Sequence, residues 1–203
     1  LADASLVAEH AAEERTSTGL NHRKVLMWFF LGSECLFFGS LISTYLIYRN
    51  HSLPNTGPVP PEIWDIPYTS VSSFVLLMSS LTMVLALAAI QRGDVRGLRV
   101  WLVATGLLGT VFLGGQVYEF TSFVREGAGI GRNLFGSTFF TLTGFHGAHV
   151  SVGVLLLFSI FLNSLRGKVT QKDSLTVELV GLYWHFVDIV WIVIFTVVYL
   201  LPY

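Results

Sequence analysis

Residues 181–203 read GLYWHFVDIVWIVIFTVVYLLPY. The run is long and apolar enough to cross a bilayer, since a spanning helix needs about 20 predominantly apolar residues. Yet it holds His185 and Asp188, three residues apart and therefore on one helical face. A charged side chain at the bilayer centre costs about 2.5–3.5 kcal/mol on insertion scales. The pair is thus expected to face protein rather than lipid, and the helix to be one member of a bundle.

Four further runs of the same kind lie upstream. Together they place spanning helices at 25–48, 68–90, 98–122, 138–164 and 177–201. The expected fold is an all-α membrane protein, a five-transmembrane-helix bundle over 25–203 behind a polar tail at 1–24. Composition agrees: 53% of the 203 residues are hydrophobic and 12% are charged, where a soluble domain carries about a quarter charged. The connections are a loop with five of the six prolines, a tight QRGDVRG turn, a glycine-rich EGAGIGRN and a basic RGKVTQKDS.

Nine of the 12 Lys and Arg residues fall in the N-terminal tail (Arg15, Arg23, Lys24), the second connection (Arg92, Arg96, Arg99) and the fourth (Arg166, Lys168, Lys172). Only Arg49, Arg125 and Arg132 fall on the other side. Positive charge stays inside, so the N-terminus is expected to be cytoplasmic and the C-terminus outside. The net charge of −1 hides an uneven distribution and says nothing about nucleic acid, but no basic stripe or RNA-type aromatic motif appears, so no nucleic-acid partner is expected. The tail lacks an apolar core and does not read as a secretory signal peptide. The single cysteine, Cys35, excludes a disulfide framework within the chain and is expected as a small packing residue. Tyr45, Tyr48, Trp64, Tyr68, Tyr199 and Tyr203 sit where interface anchors belong. Gly144, Gly147 and Gly153, with Gly106, Gly109, Gly114 and Gly115, are candidates for close helix contact.

The polar groups inside the spans are the candidate functional residues. Glu34 lies nine residues into its span, about 14 Å from the inner boundary at 1.5 Å per residue. Gln116 and Glu119 share a face, as do His146 and His149. Glu178, Gly181, His185 and Asp188 form one stripe. Glu119 and Glu178, near span ends, read equally as interfacial or buried. His149 falls near the midplane, within a turn or two of the level of Glu34. Pairing of Glu34 with His146 or His149 would relieve two desolvation penalties, with His185 and Asp188 pointing into the same interior. A single metal held by His146, His149 and either Glu34 or Asp188 is a chemical alternative. So is an independent proton or ion carrier. Stacked b-type haems need histidine pairs recurring along the helices, and none recur.

Four segments, in order, resemble the signature stretches of subunit III of haem–copper terminal oxidases: GSECLFFGSLISTYL (32–46), GGQVYEF (114–120), LTGFHGAHVSVGVLLL (142–157) and LYWHFVDIVWIVIFTVVYLL (182–201). The resemblance implies an accessory, non-redox subunit of a proton-pumping oxidase in the plasma membrane of a bacterium. It implies no catalytic, cofactor or metal residue in this chain. Haems and copper would sit in partner subunits, with catalytic subunit I, subunit II and other oxidase subunits as neighbours. The family sustains proton uptake, protects the catalytic site during turnover and holds phospholipid in a cleft. Carried over by motif, Glu34, Gln116, Glu119, His146, His149, His185 and Asp188 would form the lipid-binding or buried polar cluster. Longer members have seven helices; this chain has the five-helix body. The electron donor is expected to be cytochrome c, with a quinol as the alternative.

Overall fold

The computed structural model describes residues 21–49, 65–127, 129–131 and 134–201. The tail up to residue 20, the proline-rich loop 50–64 with Trp64, and Arg132 and Tyr203 lie outside the described residues. Five long helices follow one another: α1 (His22–Tyr48), α2 (Ile66–Gln91), α3 (Val95–Arg125), α4 (Leu134–Leu165) and α5 (Ser174–Phe195). A 3₁₀ turn, Gln171–Asp173, leads into α5, and a π-helical turn, Thr196–Leu200, continues it. All five are long and apolar enough to cross a membrane, as expected. Most run past the expected span ends, by up to four residues. Apolar runs mark only the part of a helix that lies in hydrocarbon.

Local chemistry sets the ends. Asp65 Oδ1 accepts from the Tyr68 N–H at 3.1 Å, capping α2, and Pro67 occupies its first turn, where its missing N–H costs nothing. Asp94 Oδ1 accepts from the Gly97 N–H at 2.9 Å and starts α3. Between them the chain reverses at Gly93, whose φ of 78° is left-handed and suits a residue without Cβ. Before α5, Asp173 Oδ2 accepts from both the backbone N–H and the hydroxyl of Thr170, at 2.9 and 3.0 Å. Inside the spans, hydroxyls turn back onto their own helix: Ser73 donates to Thr69 O, Thr110 to Gly106 O and Thr143 to Phe139 O, each at 2.7 Å. In lipid an unpaired hydroxyl has no water to take.

The chain divides into two compact units, Leu1–Phe37 and Phe38–Tyr203, with the boundary inside α1. The first unit contributes the opening turns of α1, begun where Asn21 Oδ1 accepts from the Arg23 N–H at 2.9 Å. Cys35 is exposed on this stretch, so it is not the packing residue its apolar neighbours implied. Heptad-scale hydropathy shows that a segment is in the membrane but not which side of it meets protein.

In the second unit, α2 packs on α3, α3 on α4, α4 on α5 and α5 back on α2, closing a four-helix ring. The last turns of α1 add Tyr45 against Phe135, with ring centres 6.2 Å apart. Lipid offers no hydrophobic drive for helices to associate, so close packing and hydrogen bonds must hold the ring. Trp184 is the centrepiece of that packing, at 0% exposure. Its indole fits a slot between two glycines: a Cβ at Gly109 would come within 2.6 Å of its Cη2, and one at Gly153 within 2.8 Å of its Cζ3. Its Nε1–H donates to Ser79 Oγ at 2.9 Å, and that of Trp191 donates to Ser73 Oγ at 2.9 Å. Gly106 and Gly115 also meet neighbours, but Gly114, Gly144 and Gly147 have nothing within 4 Å. Close approach therefore accounts for four of the seven candidate glycines.

The ends of the ring are tied as well. Arg99 Nη2–H donates to Ser164 O at 2.5 Å and its Nε–H to Ser164 Oγ at 3.3 Å, placing a cation on the C-terminal carbonyls of α4. Gln171 Nε2–H donates to Gln91 O at 2.6 Å and closes the end of α2.

Candidate functional site

Apart from Glu178, the candidate polar residues of the second unit fall in three places. The first is Glu119, buried at 4% exposure. Its Oε1 accepts from Thr69 Oγ1 at 2.8 Å and from the Tyr199 hydroxyl at 3.0 Å, and its Oε2 from Gln116 Nε2 at 3.3 Å. One carboxyl group thus joins the start of α2, the far part of α3 and the π turn after α5. Of the two readings open for Glu119, interfacial or buried, the buried one holds. Tyr199 and Tyr45, at 4% and 0% exposure, are interior residues and not interface anchors. Their position near span ends was compatible with both roles, and only the packing separates them.

The second place is the histidine pair on α4. His146 is 1% exposed and stacks on Trp191, with ring centres 4.9 Å apart and planes at 24°. Phe112 and Phe38 present edges to it at 6.1 and 6.3 Å. Neither ring nitrogen of His146 has a hydrogen-bond partner. His149 is half-buried and packs edge-on against Phe38 at 4.9 Å. Its Nδ1 lies 2.7 Å from Phe145 O; a carbonyl only accepts, so Nδ1 carries the proton. Tyr183 donates to the His149 carbonyl at 3.0 Å. The i, i+3 spacing does put both rings on the same phenylalanine, as face-sharing requires.

The third place is the seam between α2 and α5. Ser73 faces Trp191, Ser80 faces His185 and Gly181 faces Met83, which fixes the antiparallel register. His185 is half-buried, with Nδ1 2.5 Å from Ser80 Oγ. Asp188 is 3% exposed and neither carboxylate oxygen has a hydrogen-bond partner. Ser80 stands beside it; where its hydroxyl accepts from a protonated His185 Nδ1, its own proton is left for the acid. Trp184 and Phe186, which flank His185 in the chain, are buried at 0% and 8% exposure.

Glu34 belongs to the first unit and is half-buried. Glu178 is half-buried near the start of α5. Among the described residues, no three His, Cys, Asp or Glu side chains gather as a metal-binding group.

Sequence reading missed the hydroxyl partners: Thr69, Ser73, Ser79 and Ser80 on α2, and Tyr199 as a donor. A signal was present, because TSVSS at 69–73 and SS at 79–80 are dense in hydroxyls for a membrane span. Such residues act as interhelical donors and acceptors where water is absent.

Apart from its α2 hydroxyls, this polar framework lies on the segments that carried the family likeness, and a profile of the family described as "Cytochrome c oxidase subunit III" matches residues 3–203. The chain belongs to the subunit III family. Among its relatives, "Cytochrome c oxidase subunit 3" of Bacillus sp. (strain PS3) is 38% identical over 203 residues, covering 98% of this chain and 97% of the relative. "Quinol oxidase subunit 3" of Bacillus spizizenii (strain W23) is 37% identical over 174 residues, covering 86% and 84%. "Cytochrome bo(3) ubiquinol oxidase subunit 3" of Pseudomonas aeruginosa is 38% identical over 174 residues, covering 86% and 82%. A subunit III thus accounts for nearly the whole chain, spans, loops and polar clusters together.

Proposed function

We propose that the chain is the accessory subunit of a proton-translocating haem–copper oxidase and carries no redox centre of its own. It leans on the haem- and copper-bearing catalytic subunit I, alongside subunit II and other oxidase subunits, in the plasma membrane of a bacterium. Its N-terminus faces the cytoplasm, its buried polar groups stiffen the bundle, bound phospholipid fills its cleft, and proton uptake by the catalytic subunit is sustained. The observation that carries this reading is the family match across residues 3–203. The way Glu119 is used supports it: all three of its donors come from the chain itself, as befits a tie between helices.

Cytochrome c is the proposed electron donor. A quinol is the second reading, because relatives named for quinol oxidases match at 37% and 38% identity, level with the 38% of a cytochrome c oxidase relative. The test is purification of the tagged chain from its native membranes in mild detergent. A Soret band, co-purifying haem subunits and oxygen consumption with reduced cytochrome c are expected. Oxygen consumption with quinol alone would transfer the proposal to the second reading. A chain that purifies without haem subunits, or that moves protons by itself in liposomes, would end it.

A further inference from the structure

We propose that the cavity between the end of α4 and the start of α5 binds the headgroup of a lipid that carries both a phosphate and a primary ammonium. The proposal rests on the reading of this chain as a membrane subunit, and it uses none of the residues carried over for the buried polar cluster.

The cavity holds about 190 Å³. Its floor is apolar, made by the buried side chains of Ile160 and Val177. Its rim is polar: Asn163 at the end of α4, Lys168 in the connection, Asp173 and Thr176 where α5 begins. A cation and an anion therefore line one small space, yet they do not pair with each other. Among the described residues, neither the Lys168 ammonium nor the Asn163 side-chain amide has a hydrogen-bonding or ionic partner.

The backbone holds both charges in place. α4 ends at Gly167, whose φ is 70°; its N–H donates to Ser164 O at 3.1 Å, and the Lys168 N–H donates to Asn163 O at 3.1 Å. This pair of bonds closes a helix on a left-handed glycine and fixes where Lys168 leaves α4. On the other side, the Asp173 carboxylate takes the Thr170 N–H and hydroxyl on one oxygen, Oδ2. Its Oδ1 is left for another donor.

Charge, size and level select the occupant. A phosphate suits Lys168 and the Asn163 amide, and an ammonium with three N–H groups suits Asp173 Oδ1 and the Thr176 hydroxyl. A choline group has no N–H to donate, and a glycerol headgroup has no cation for Asp173. Drug-sized ligands fill about 300–1,000 Å³, so a nucleotide or ring cofactor is too large, while a headgroup of a few heavy atoms is not. The level is that at which α4 passes from exposed Leu162 and Leu165 to exposed Arg166 and Lys168. Hydrocarbon gives way to lipid phosphates there, and basic pockets at the ends of spans hold such headgroups. An apolar floor under a charged rim favours an amphiphile over a free metabolite.

The test is native mass spectrometry of the tagged chain with whatever co-purifies from native membranes, washed free of lipid in mild detergent and titrated with dihexanoyl phosphatidylethanolamine. Parallel titrations use dihexanoyl phosphatidylcholine, dihexanoyl phosphatidylglycerol and free O-phosphoethanolamine. Lys168→Met removes the cation, and Asp173→Asn removes the anion while keeping an oxygen for Thr170. Lys172→Met, exposed and outside the cavity, is the control. The wild type should take up the ethanolamine lipid, both cavity variants should bind it about tenfold or more weakly, the scale of one lost charge-assisted bond, and Lys172→Met should match the wild type. The choline and glycerol lipids should bind more weakly than the ethanolamine lipid and be indifferent to Asp173→Asn. Lys168→Met removes no hydrogen bond within the chain, so it keeps the test standing if Asp173→Asn loosens the turn. Equal binding of ethanolamine and choline lipids, wild-type binding by Lys168→Met, or an equal loss in Lys172→Met, the mark of a diffuse basic surface, would each overturn the proposal. So would free O-phosphoethanolamine binding as tightly as the lipid, which makes the occupant a soluble metabolite. Haem in the same sample separates the two levels. Haem without Lys168-dependent lipid refutes only the site; Lys168-dependent lipid without haem refutes the oxidase reading and leaves the site standing.

Discussion

Gly153→Ala and Gly109→Ala press a methyl group against the same indole from opposite sides. At Gly153 the new carbon would stand 2.8 Å from Trp184 Cε3 and Cζ3 and 3.3 Å from Tyr183 Cε1. At Gly109 it would stand 2.6 Å from Trp184 Cη2, 2.9 Å from Cζ2 and 3.0 Å from Val154 Cγ2. Carbon atoms pack best at about 3.5–4.0 Å, so the ring must move by about 1 Å. It has nowhere to go, being fully buried and tethered by Nε1 to Ser79 at 2.9 Å. Overpacking of this kind costs about 1–3 kcal/mol, and loss of the tether adds about 1 kcal/mol. Alanine's better helix propensity offsets up to about 1 kcal/mol. The net cost is about 1–3 kcal/mol, with Gly109→Ala the worse of the two. Gly114→Ala makes the same chemical change with nothing within 4 Å and should be neutral or slightly stabilising. For a chain of this size 1 kcal/mol moves the melting temperature by about 2–4 °C, so Gly153→Ala should melt several degrees early and Gly114→Ala should not. The assay is chromatographic survival of the detergent-solubilised protein after graded heating. Trp184→Phe frees space, so the double variant with Gly153→Ala should cost less than the two single changes added together. Equal melting of the Gly153 and Gly114 variants, or strict additivity with Trp184→Phe, would refute the account of the slot.

Tyr199→Phe and Thr69→Val each remove one of the three donors on Glu119 and should each cost about 1 kcal/mol, read by the same melting assay. Glu119→Leu leaves all three donors without an acceptor and should cost more than either; Glu119→Gln, which keeps one carbonyl oxygen, should fall between wild type and Glu119→Leu. Arg99→Met removes the cation from the end of α4, so hydrogen exchange should speed up at 161–165 while the centre of that helix is unchanged. Exposed Cys35 should react with a membrane-permeant maleimide in the isolated, folded chain; protection until denaturation would contradict its place on the helix surface.

Much of the molecule is visible in one dimension, and the reason is energetic. A segment that crosses the hydrocarbon must be predominantly apolar and keep its backbone groups hydrogen-bonded, so five helices, their connections and their approximate ends follow from hydropathy and from capping residues such as Asp65 and Asp94. The same cost marks polar residues as interior or paired, which is why Glu119, His146 and Asp188 could be singled out before any packing was known. Partner choice was not visible. Glu119 takes Thr69, 50 residues away, and Tyr199, 80 residues away, and no local pattern encodes such distances. Gly109 and Gly114 look alike in sequence, yet one holds Trp184 and the other faces open space.

The amino-acid sequence by itself determined the spans and marked ionisable residues such as His146 and Asp188 as candidates for burial, because transfer into lipid is a property of each residue taken alone. It also carried the family likeness, through short motifs. Only the tertiary structure decided which group serves which: that Tyr199 and Tyr45 turn inward, that Ser79 and Ser73 answer the two tryptophans, and that Ser80 meets His185 across the seam. Those outcomes depend on helix rotation and register, which hydropathy leaves free and which side-chain packing selects.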